Sequence, residues 1–127
     1  MNKEKENIIK KYGSSQDYLV ICDHSSNNIP LRYQNLGISE KDLESHRAYD
    51  IGASDVASQL SELLDCSLVM ANFSRLLIDP NRGKDDPTLI PKISEGKIIK
   101  GNMNISISEN DVDRNERILQ FYLPYHK

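Results

Sequence analysis

Three polar segments of this 127-residue chain carry residue types that do chemistry. The first, residues 72–82 (Asn-Phe-Ser-Arg-Leu-Leu-Ile-Asp-Pro-Asn-Arg), places arginine, asparagine and aspartate around a short apolar run. A guanidinium presents a planar fork of donors that matches a carboxylate or phosphate at two points. Arg75, Asn81 and Arg82 therefore predict a site that binds a substrate carboxylate. The alternative is a set of surface ion pairs between these arginines and Asp79, Asp85 and Asp86.

The second and third segments contain histidines. Residues 23–26 (Asp-His-Ser-Ser) directly follow an apolar run, and ligands of open α/β sheets bind beyond the carboxyl ends of strands. His24 is therefore a candidate metal ligand, against the alternative of a turn histidine bonded to its own loop. In residues 44–50 (Glu-Ser-His-Arg-Ala-Tyr-Asp), His46 and Asp50 suit metal binding or general-base catalysis. Their spacing alone favours an acidic helix N-terminus instead.

Two further charged groups are interpreted as structural. His126 lies near the end of the last predicted helix, where a cation is favoured by the helix dipole. The charged residues earlier in that helix predict a solvated face, and they are Asp111, Asp113, Arg114, Glu116 and Arg117.

The elements that must position these residues follow a strand–helix–strand order. Residues 17–22 and 67–71 predict two buried strands, and residues 49–64 predict an amphipathic helix between them. This order is typical of a parallel sheet with helices on its faces. Residues 75–79 predict a third short strand. The apolar side of the helix is formed by Ile51, Val56, Leu60, Leu63 and Leu64.

The remaining segments are less regular. Residues 1–11 predict a solvated helix or a frayed end, and Ser39 is a candidate helix N-cap. Residues 80–101, rich in proline and glycine, predict a long functional or disordered loop. Ser108 begins the last helix with a pattern like a capping box, and the helix runs to Pro124.

Composition narrows the class of protein. The length fits one domain. With 16 basic and 19 acidic residues, the net charge of −3 is too balanced for a nucleic-acid-binding surface. There is no run of about 20 apolar residues, so we predict no membrane span. Cys22 and Cys66 lie in or beside apolar segments, which predicts buried reduced thiols and a cytoplasmic protein.

Taken together, the motifs resemble the N-formylglutamate amidohydrolase family. No single motif is specific, but five occur in the family's order across nearly the whole chain, matching the N-terminal half of the family domain. They are residues 22–30 (Cys-Asp-His-Ser-Ser-Asn-Asn-Ile-Pro), 46–53 (His-Arg-Ala-Tyr-Asp-Ile-Gly-Ala), 72–82, 89–91 (Leu-Ile-Pro) and 122–126 (Tyr-Leu-Pro-Tyr-His).

The resemblance implies a zinc-dependent hydrolase of N-formylglutamate or a related N-acyl amino acid, which releases formate and glutamate. It also implies a place in histidine degradation. The implied fold is a three-layer α/β/α, carboxypeptidase-like (phosphorylase/hydrolase-like) domain with a mixed, mainly parallel sheet. His24 and Asp50 would bind the metal, and Asp50 and His46 would be catalytic. The substrate would be bound by Ser25, Asn28, Arg75, Asn81 and Arg82.

The chain also departs from the pattern. Asn27 stands where carboxypeptidase-like relatives carry a glutamate, which leaves the second ligand open among Asp50, His46 and Glu44. An Asp-x-His-Ser segment from the family's later half has no counterpart here. We therefore expect an incomplete domain with weak catalysis and self-association through an open sheet edge. The other hypothesis is a non-catalytic module that binds an acidic metabolite or a partner chain through Arg75 and Arg82.

Overall fold

A three-stranded sheet forms the centre of the computed structural model, which describes residues 5–127. Its strands are β1 (Ile8–Lys11), β2 (Ser15–Cys22) and β3 (Cys66–Ala71), in the order β1-β3-β2. β2 runs parallel to β3, whereas β1 pairs with β3 in the antiparallel direction. The two predicted strands and their parallel direction are confirmed, but only β3 is largely buried, whereas most of β2 is exposed. The protein has a mixed α/β fold with a mixed sheet.

The N-terminal prediction is wrong in the part that the structure describes. Residues 8–11 form β1 rather than a helix or a frayed end, while residues 1–4 lie outside the described residues. Ile8 and Ile9 are β-branched and pack against the two apolar clusters on either side of the sheet. Pairing with β3 therefore outweighs the helix propensity of the lysines and glutamates around them.

Helix α2 (Ala53–Leu64) connects β2 to β3 and begins later than predicted. Gly52 precedes it with a φ of 85°. This left-handed conformation is not helical, so the helix cannot begin at residue 49 as predicted. Asp50 therefore lies in the loop before the helix. The helix packs on the sheet through Ala57 and Ser61, not through the large apolar residues of the predicted face. A short helix, α1 (Glu40–Leu43), precedes it and is capped by Ser39, as predicted.

The predicted third strand is also wrong. Residues 75–77 form a turn, although Leu76, Leu77 and Ile78 are all buried in the main core. The carbonyl groups of this segment pair with side chains instead of a neighbouring strand. The Leu76 carbonyl accepts a hydrogen bond from Asn102 Nδ2 (2.7 Å), and the Leu77 carbonyl accepts one from Arg117 (2.9 Å).

Arg114 and Arg117 therefore do not belong to a solvated helix face, which corrects that prediction. Arg117 is only 3% exposed and also donates to Asn102 Oδ1 at 2.6 Å. Arg114 is buried as well and donates to the Lys84 carbonyl at 2.5 Å. The buried turn leaves backbone acceptors unpaired, and the Arg117 guanidinium satisfies one of them, whereas Arg114 holds the exposed loop at Lys84.

Residues 80–101, which were predicted as a long loop, contain regular secondary structure. They include a small hairpin of β4 (Ile93–Ser94) and β5 (Lys97–Ile98), and Leu89, Ile90 and Ile99 are buried in the core. Two 3₁₀ segments cover Leu31–Gly37 and Lys100–Asn102.

The C-terminal segment is helical from α3 (Val112–Arg117) through a π-helical turn (Ile118–Tyr122) to α4 (Leu123–His126). Asp111, not Ser108, is its N-cap, because its side chain accepts a hydrogen bond from the Arg114 N–H at 2.9 Å. Phe121 anchors the segment against Phe73, with ring centroids 5.4 Å apart. None of the helices in residues 5–127 is long and apolar enough to cross a membrane. Cys22 and Cys66 are buried free thiols, as predicted.

Candidate functional site

His24 lies between two carboxylates just beyond the end of β2. Its Nε2 is 2.7 Å from Asp79 Oδ1, and its Nδ1 is 3.2 Å from Asp50 Oδ2. The ring and the Asp79 side chain are buried, whereas the Asp50 side chain is 54% exposed. One carboxylate thus supports the imidazole from the core, and the other faces solvent.

Backbone hydrogen bonds bring these distant segments together. The Asp50 N–H donates to the His24 carbonyl at 2.9 Å, which fixes the loop before α2 beside the end of β2. The Arg75 N–H donates to the Ala48 carbonyl at 3.3 Å, and Ser74 Oγ donates to the same carbonyl at 2.8 Å. The segment 72–82 is therefore held against the same loop. This accounts for the convergence of the three polar segments.

His24 and Asp79 each stabilise the charged form of the other. Burial lowers the pKa of His24, but the hydrogen bond that it donates to Asp79 and the charge of that carboxylate raise it by more, so the pKa lies above its ordinary value. Burial raises the pKa of Asp79, but the hydrogen bonds from His24 and from the Asn81 backbone N–H lower it by more. The pair therefore favours an imidazolium next to a carboxylate.

Arg75 and Arg82 stand around the same carboxylates. The Arg75 guanidinium lies 3.4 Å from Asp50 Oδ1 and 3.5 Å from Asp79 Oδ2. Arg82 Nε lies 3.7 Å from Asp79 Oδ2. The Arg75 side chain is 28% exposed and that of Arg82 is 44% exposed. With His24 protonated, these five groups carry one positive charge in excess, which suits an incoming anion.

The cluster opens into a cavity of about 630 Å³. This volume falls within the range of pockets that hold small ligands. The predicted long loop supplies much of its wall. The lining side chains include Asp50, Arg75, Asp79, Arg82, His46, Arg47, Pro87, Thr88, Pro91, Lys92 and Glu95.

His46 lies at the exposed side of this cavity. Its Nε2 is 2.8 Å from the Glu95 carboxylate at the tip of the β4–β5 hairpin, and Arg47 lies 3.7 Å from the same carboxylate. Both side chains of the His46–Glu95 pair are more than half exposed. The hairpin is thereby attached to the cavity wall through surface ion pairs.

The other predicted substrate-binding residues occupy different positions. Ser25 Oγ donates to the Ala71 carbonyl at 2.5 Å, and Asn28 Nδ2 donates to the Asn72 carbonyl at 3.2 Å. These contacts hold the loop after β2 to the end of β3. Asn81 contributes its backbone N–H, which donates to Asp79 Oδ1 at 2.9 Å. The direct substrate-binding role of these three residues remains a prediction.

Asp79 is the member of the cluster that the sequence interpretation missed, since it was considered only as a surface partner of the arginines. It is buried and contacts His24, Arg75 and Arg82. Its position directly before Pro80, after a buried apolar run, was the available signal. An acidic residue that ends such a run needs buried partners.

Side chains of the C-terminal helical segment make hydrogen bonds to two loops of the site, at Asp23 and at residues 80–82. Tyr122 Oη donates to the Arg82 carbonyl at 2.8 Å. His126 Nε2 lies 2.8 Å from the Pro80 carbonyl, and because a carbonyl only accepts, this nitrogen carries the proton. Tyr125 Oη donates to Asp23 Oδ1, beside His24. Burial and this hydrogen bond raise the pKa of Tyr125, so it remains a donor.

Among residues 5–127, no three histidine, cysteine or acidic side chains form a cluster that could enclose a metal ion. His24, Asp50 and Asp79 have suitable donor types. However, the two carboxylates bind opposite nitrogens of the ring. A single ion on one nitrogen would therefore meet only one of them in this arrangement.

Comparison with known proteins identifies the family of this chain. Residues 16–127 match the family described as N-formylglutamate amidohydrolase. The chain belongs to that family. The crystal structure of gene product Atu2144 from Agrobacterium tumefaciens is similar, with a TM-score of 0.87 and 34% sequence identity. The alignment covers 95% of this chain but 47% of that one, so this family member spans about half the length of its matched structure. No curated protein sequence matches the chain significantly.

Proposed function

We propose that this chain binds N-formylglutamate, or a related N-acyl amino acid, and contributes to hydrolysis of its amide bond. The observation that supports this most strongly is the position of Arg75 and Arg82 in the wall of an open cavity, beside the His24–Asp50 pair. Their contacts to Asp50 and Asp79 are 3.4–3.7 Å long, so a substrate carboxylate can compete for their donors. Family membership supports an amidohydrolase activity of this kind.

Asp50 is the side chain best placed to take a proton. It faces the cavity, and its two oxygens contact His24 Nδ1 and the Arg75 guanidinium. In the proposed reaction, water oxygen bonds to the formyl carbon, the carbon–nitrogen bond breaks, and the nitrogen takes a proton, giving formate and glutamate. Asp50 accepts the proton from water and passes it to the departing nitrogen, while Asp79 and Asp50 hold the protonated ring of His24 in place. Arg75 aligns the substrate for attack. His46, at the cavity rim, is the second candidate for proton transfer.

Zinc remains part of the proposal, and His24, after losing a ring proton, and Asp50 are the ligands that this chain would provide. A bound zinc ion would polarise the amide carbonyl and lower the pKa of water to about 7. The described residues do not form a complete site for it, because catalytic zinc needs about three protein ligands. No step above depends on the metal.

The wider features of the proposal follow from the family resemblance. They are a three-layer α/β/α, carboxypeptidase-like arrangement for the complete domain and a reaction in histidine degradation. The two buried free thiols support a reducing compartment such as the cytoplasm.

Formate release tests the proposal directly. The purified chain is incubated with N-formylglutamate, with added zinc or with a chelator, and formate is measured enzymatically. We expect slow release that Asp50→Asn abolishes. Asp55→Asn, an exposed aspartate on α2, is the matched control and should leave the rate unchanged. Failure of wild type to release formate under every condition would contradict the catalytic part of the proposal.

A non-catalytic binding function is the second candidate, and the lack of a three-donor metal cluster among residues 5–127 favours it. In this case the cavity binds an acidic metabolite through Arg75 and Arg82 without hydrolysis. Calorimetry would then detect binding of glutamate that a chelator leaves unchanged, while the formate assay stays at background.

A further inference from the structure

A carboxylate of the protein itself lies against one wall of the cavity. Both carboxylate oxygens of Glu95, at the tip of the β4–β5 hairpin, are 2.8 Å from His46 Nε2. Because a carboxylate only accepts hydrogen bonds, this nitrogen carries the proton. Arg47 Nη2 lies 3.7 Å from the same carboxylate, and all three residues line the cavity. His46 and Arg47, which we call the His46–Arg47 pair, therefore form a place where a carboxylate binds.

Arg47 is held in a fixed position in this wall. Its guanidinium also lies 3.4 Å from Asp42 Oδ1, and its side chain is only 21% exposed. Its Nε is buried and has no hydrogen-bond partner among residues 5–127. A guanidinium that is already held in place loses little conformational entropy when it binds a carboxylate. Arg47 is therefore better prepared to bind an anion than Lys92, an exposed cavity lysine with no ion pair among the described residues.

The backbone conformation at Glu95 is unfavourable for a glutamate. Its φ is 46° and that of Gly96 is 80°, so both residues of the hairpin turn are left-handed. Asparagine, aspartate and glycine are favoured at the first of these positions, and other residues are uncommon there. The turn therefore carries this glutamate at a conformational cost. Its contacts are open to a competing ligand, because the side chains of His46 and Glu95 are 64% and 54% exposed.

The proposed substrate N-formylglutamate has two carboxylates, and the cavity has two groups of donors that suit one. Arg75 and Arg82 form the first group, and the His46–Arg47 pair forms the second. The Arg75 N–H donates to the carbonyl of Ala48, the residue after Arg47, so the two groups belong to segments that lie side by side. A ligand with two carboxylates can therefore use both groups within one cavity.

We propose that the His46–Arg47 pair binds the second carboxylate of a dicarboxylic N-acyl amino acid, and that Glu95 occupies this subsite until the substrate displaces it. This inference rests on the proposed function and adds the class of substrate to it. Because Glu95 is tethered beside the pair, it competes at a high effective concentration. A ligand with one carboxylate binds at Arg75 and Arg82 and leaves Glu95 in place. The site should therefore prefer dicarboxylic ligands over monocarboxylic ones.

The test compares N-formylglutamate with N-formylglutamine, which has a neutral amide in place of the second carboxylate. Calorimetry measures the affinity of the full chain for each ligand. Glu95→Gln should bind N-formylglutamate about threefold more tightly, because the competing carboxylate is removed, and should bind N-formylglutamine as wild type does. Arg47→Met should weaken binding of N-formylglutamate about tenfold and that of N-formylglutamine less than about twofold. The matched control is Glu62→Gln, an exposed glutamate on α2, which should leave both affinities unchanged.

Circular dichroism confirms that each variant is folded, and Glu95→Gln, at an exposed turn, keeps the test valid if Arg47→Met fails to fold. An unchanged ratio of the two affinities in Glu95→Gln would overturn this inference, as would equal gains for both ligands, which a general loss of negative charge would produce. A loss of the preference in Lys92→Met but not in Arg47→Met would also overturn it. These outcomes leave the proposed function intact, because wild type still binds N-formylglutamate. Failure of wild type to bind either ligand would instead overturn the proposed function, and this inference with it.

Discussion

Two pairs of arginines in this protein have opposite environments. Arg75 and Arg82 line an open cavity and contact carboxylates at 3.4–3.7 Å. Arg114 and Arg117 are buried and donate to carbonyl oxygens at 2.5–2.9 Å. The first pair keeps donors available to a ligand, whereas the second pair has its donors directed at the fold itself.

The difference between the two pairs shows how burial changes the role of a guanidinium group. Arg117 bridges Leu77, Asn102 and Gly101, three positions whose acceptors have no strand or helix partner. Burial lowers its pKa, and the ring of Tyr33 lies 5.0 Å from the guanidinium carbon. A core arginine of this kind acts as a cross-link between irregular segments, and the cavity arginines depend on that support.

The largest expected effect is a loss of stability when the Arg117 guanidinium is removed. Arg117→Met should lower the free energy of unfolding by about 3 kcal/mol, because it leaves buried carbonyl acceptors unpaired. Urea denaturation measures the loss. Arg82→Met, at the exposed cavity wall, is the matched control and should change stability by less than about 0.5 kcal/mol. Equal losses in the two variants would remove the distinction between the pairs.

Arg75→Lys should act on binding rather than on stability. An ammonium cannot make the two-point contact of a guanidinium, so we expect about tenfold weaker binding of N-formylglutamate. Calorimetry measures the affinity, and urea denaturation should show an unchanged midpoint. Unchanged affinity would mean that Arg75 does not contact the ligand carboxylate.

The cavity cluster should also make stability depend on pH, unlike the core arginines. The pKa of His24 is raised in the fold, so its contribution is complete below about pH 6.5, the ordinary value. It is lost as pH rises through the folded pKa. Wild type should therefore lose more stability than His24→Gln between pH 6 and pH 8.5, by urea denaturation at each pH. Parallel curves for the two proteins would contradict the ion-pair assignment.

The lowered pKa of Asp79 should make stability depend on pH in the acid range. Its contribution is present above about pH 3.9 and is lost as pH falls through its folded pKa. Replacement by Asn should therefore flatten the acid limb of the stability curve.

Tyr122→Phe should give the smallest effect. It removes the hydrogen bond to the Arg82 carbonyl, which is worth about 0.5–1 kcal/mol. We expect about twofold weaker ligand binding, because the loop that carries Arg82 becomes less well held. Tyr18→Phe, on an exposed residue of β2, is the control and should match wild type. A loss of binding as large as that of Arg75→Lys would show that the loop position matters more than the guanidinium contact.

The sequence predicted the elements that local pattern determines. The two parallel strands and the helix between them follow from apolar run length and periodicity. The convergence of His24, Arg75 and Arg82 follows from the rule that polar residues gather where parallel strands end. Asp50 does not follow a strand, and only the family resemblance assigned it to the site. These predictions used features that act within a few residues.

Long-range pairing explains most of the errors. β1 forms because β3 offers it an antiparallel edge, and residues 75–79 turn because Asn102 and Arg117, distant in sequence, satisfy their carbonyls. The spacing of Arg114 and Arg117 among acidic residues is typical of a solvated face, and only the tertiary fold buries them. The apolar strip on α2 was recognised, but within residues 5–127 it is exposed rather than packed on the sheet.

The most direct test of the central claim is the NMR response of the four arginines to N-formylglutamate. The Nε–Hε resonances of Arg75 and Arg82 should shift in a saturable manner on titration. Those of Arg114 and Arg117 should remain unchanged. Absence of shifts at Arg75 and Arg82, or equal shifts at all four residues, would contradict a carboxylate-binding cavity.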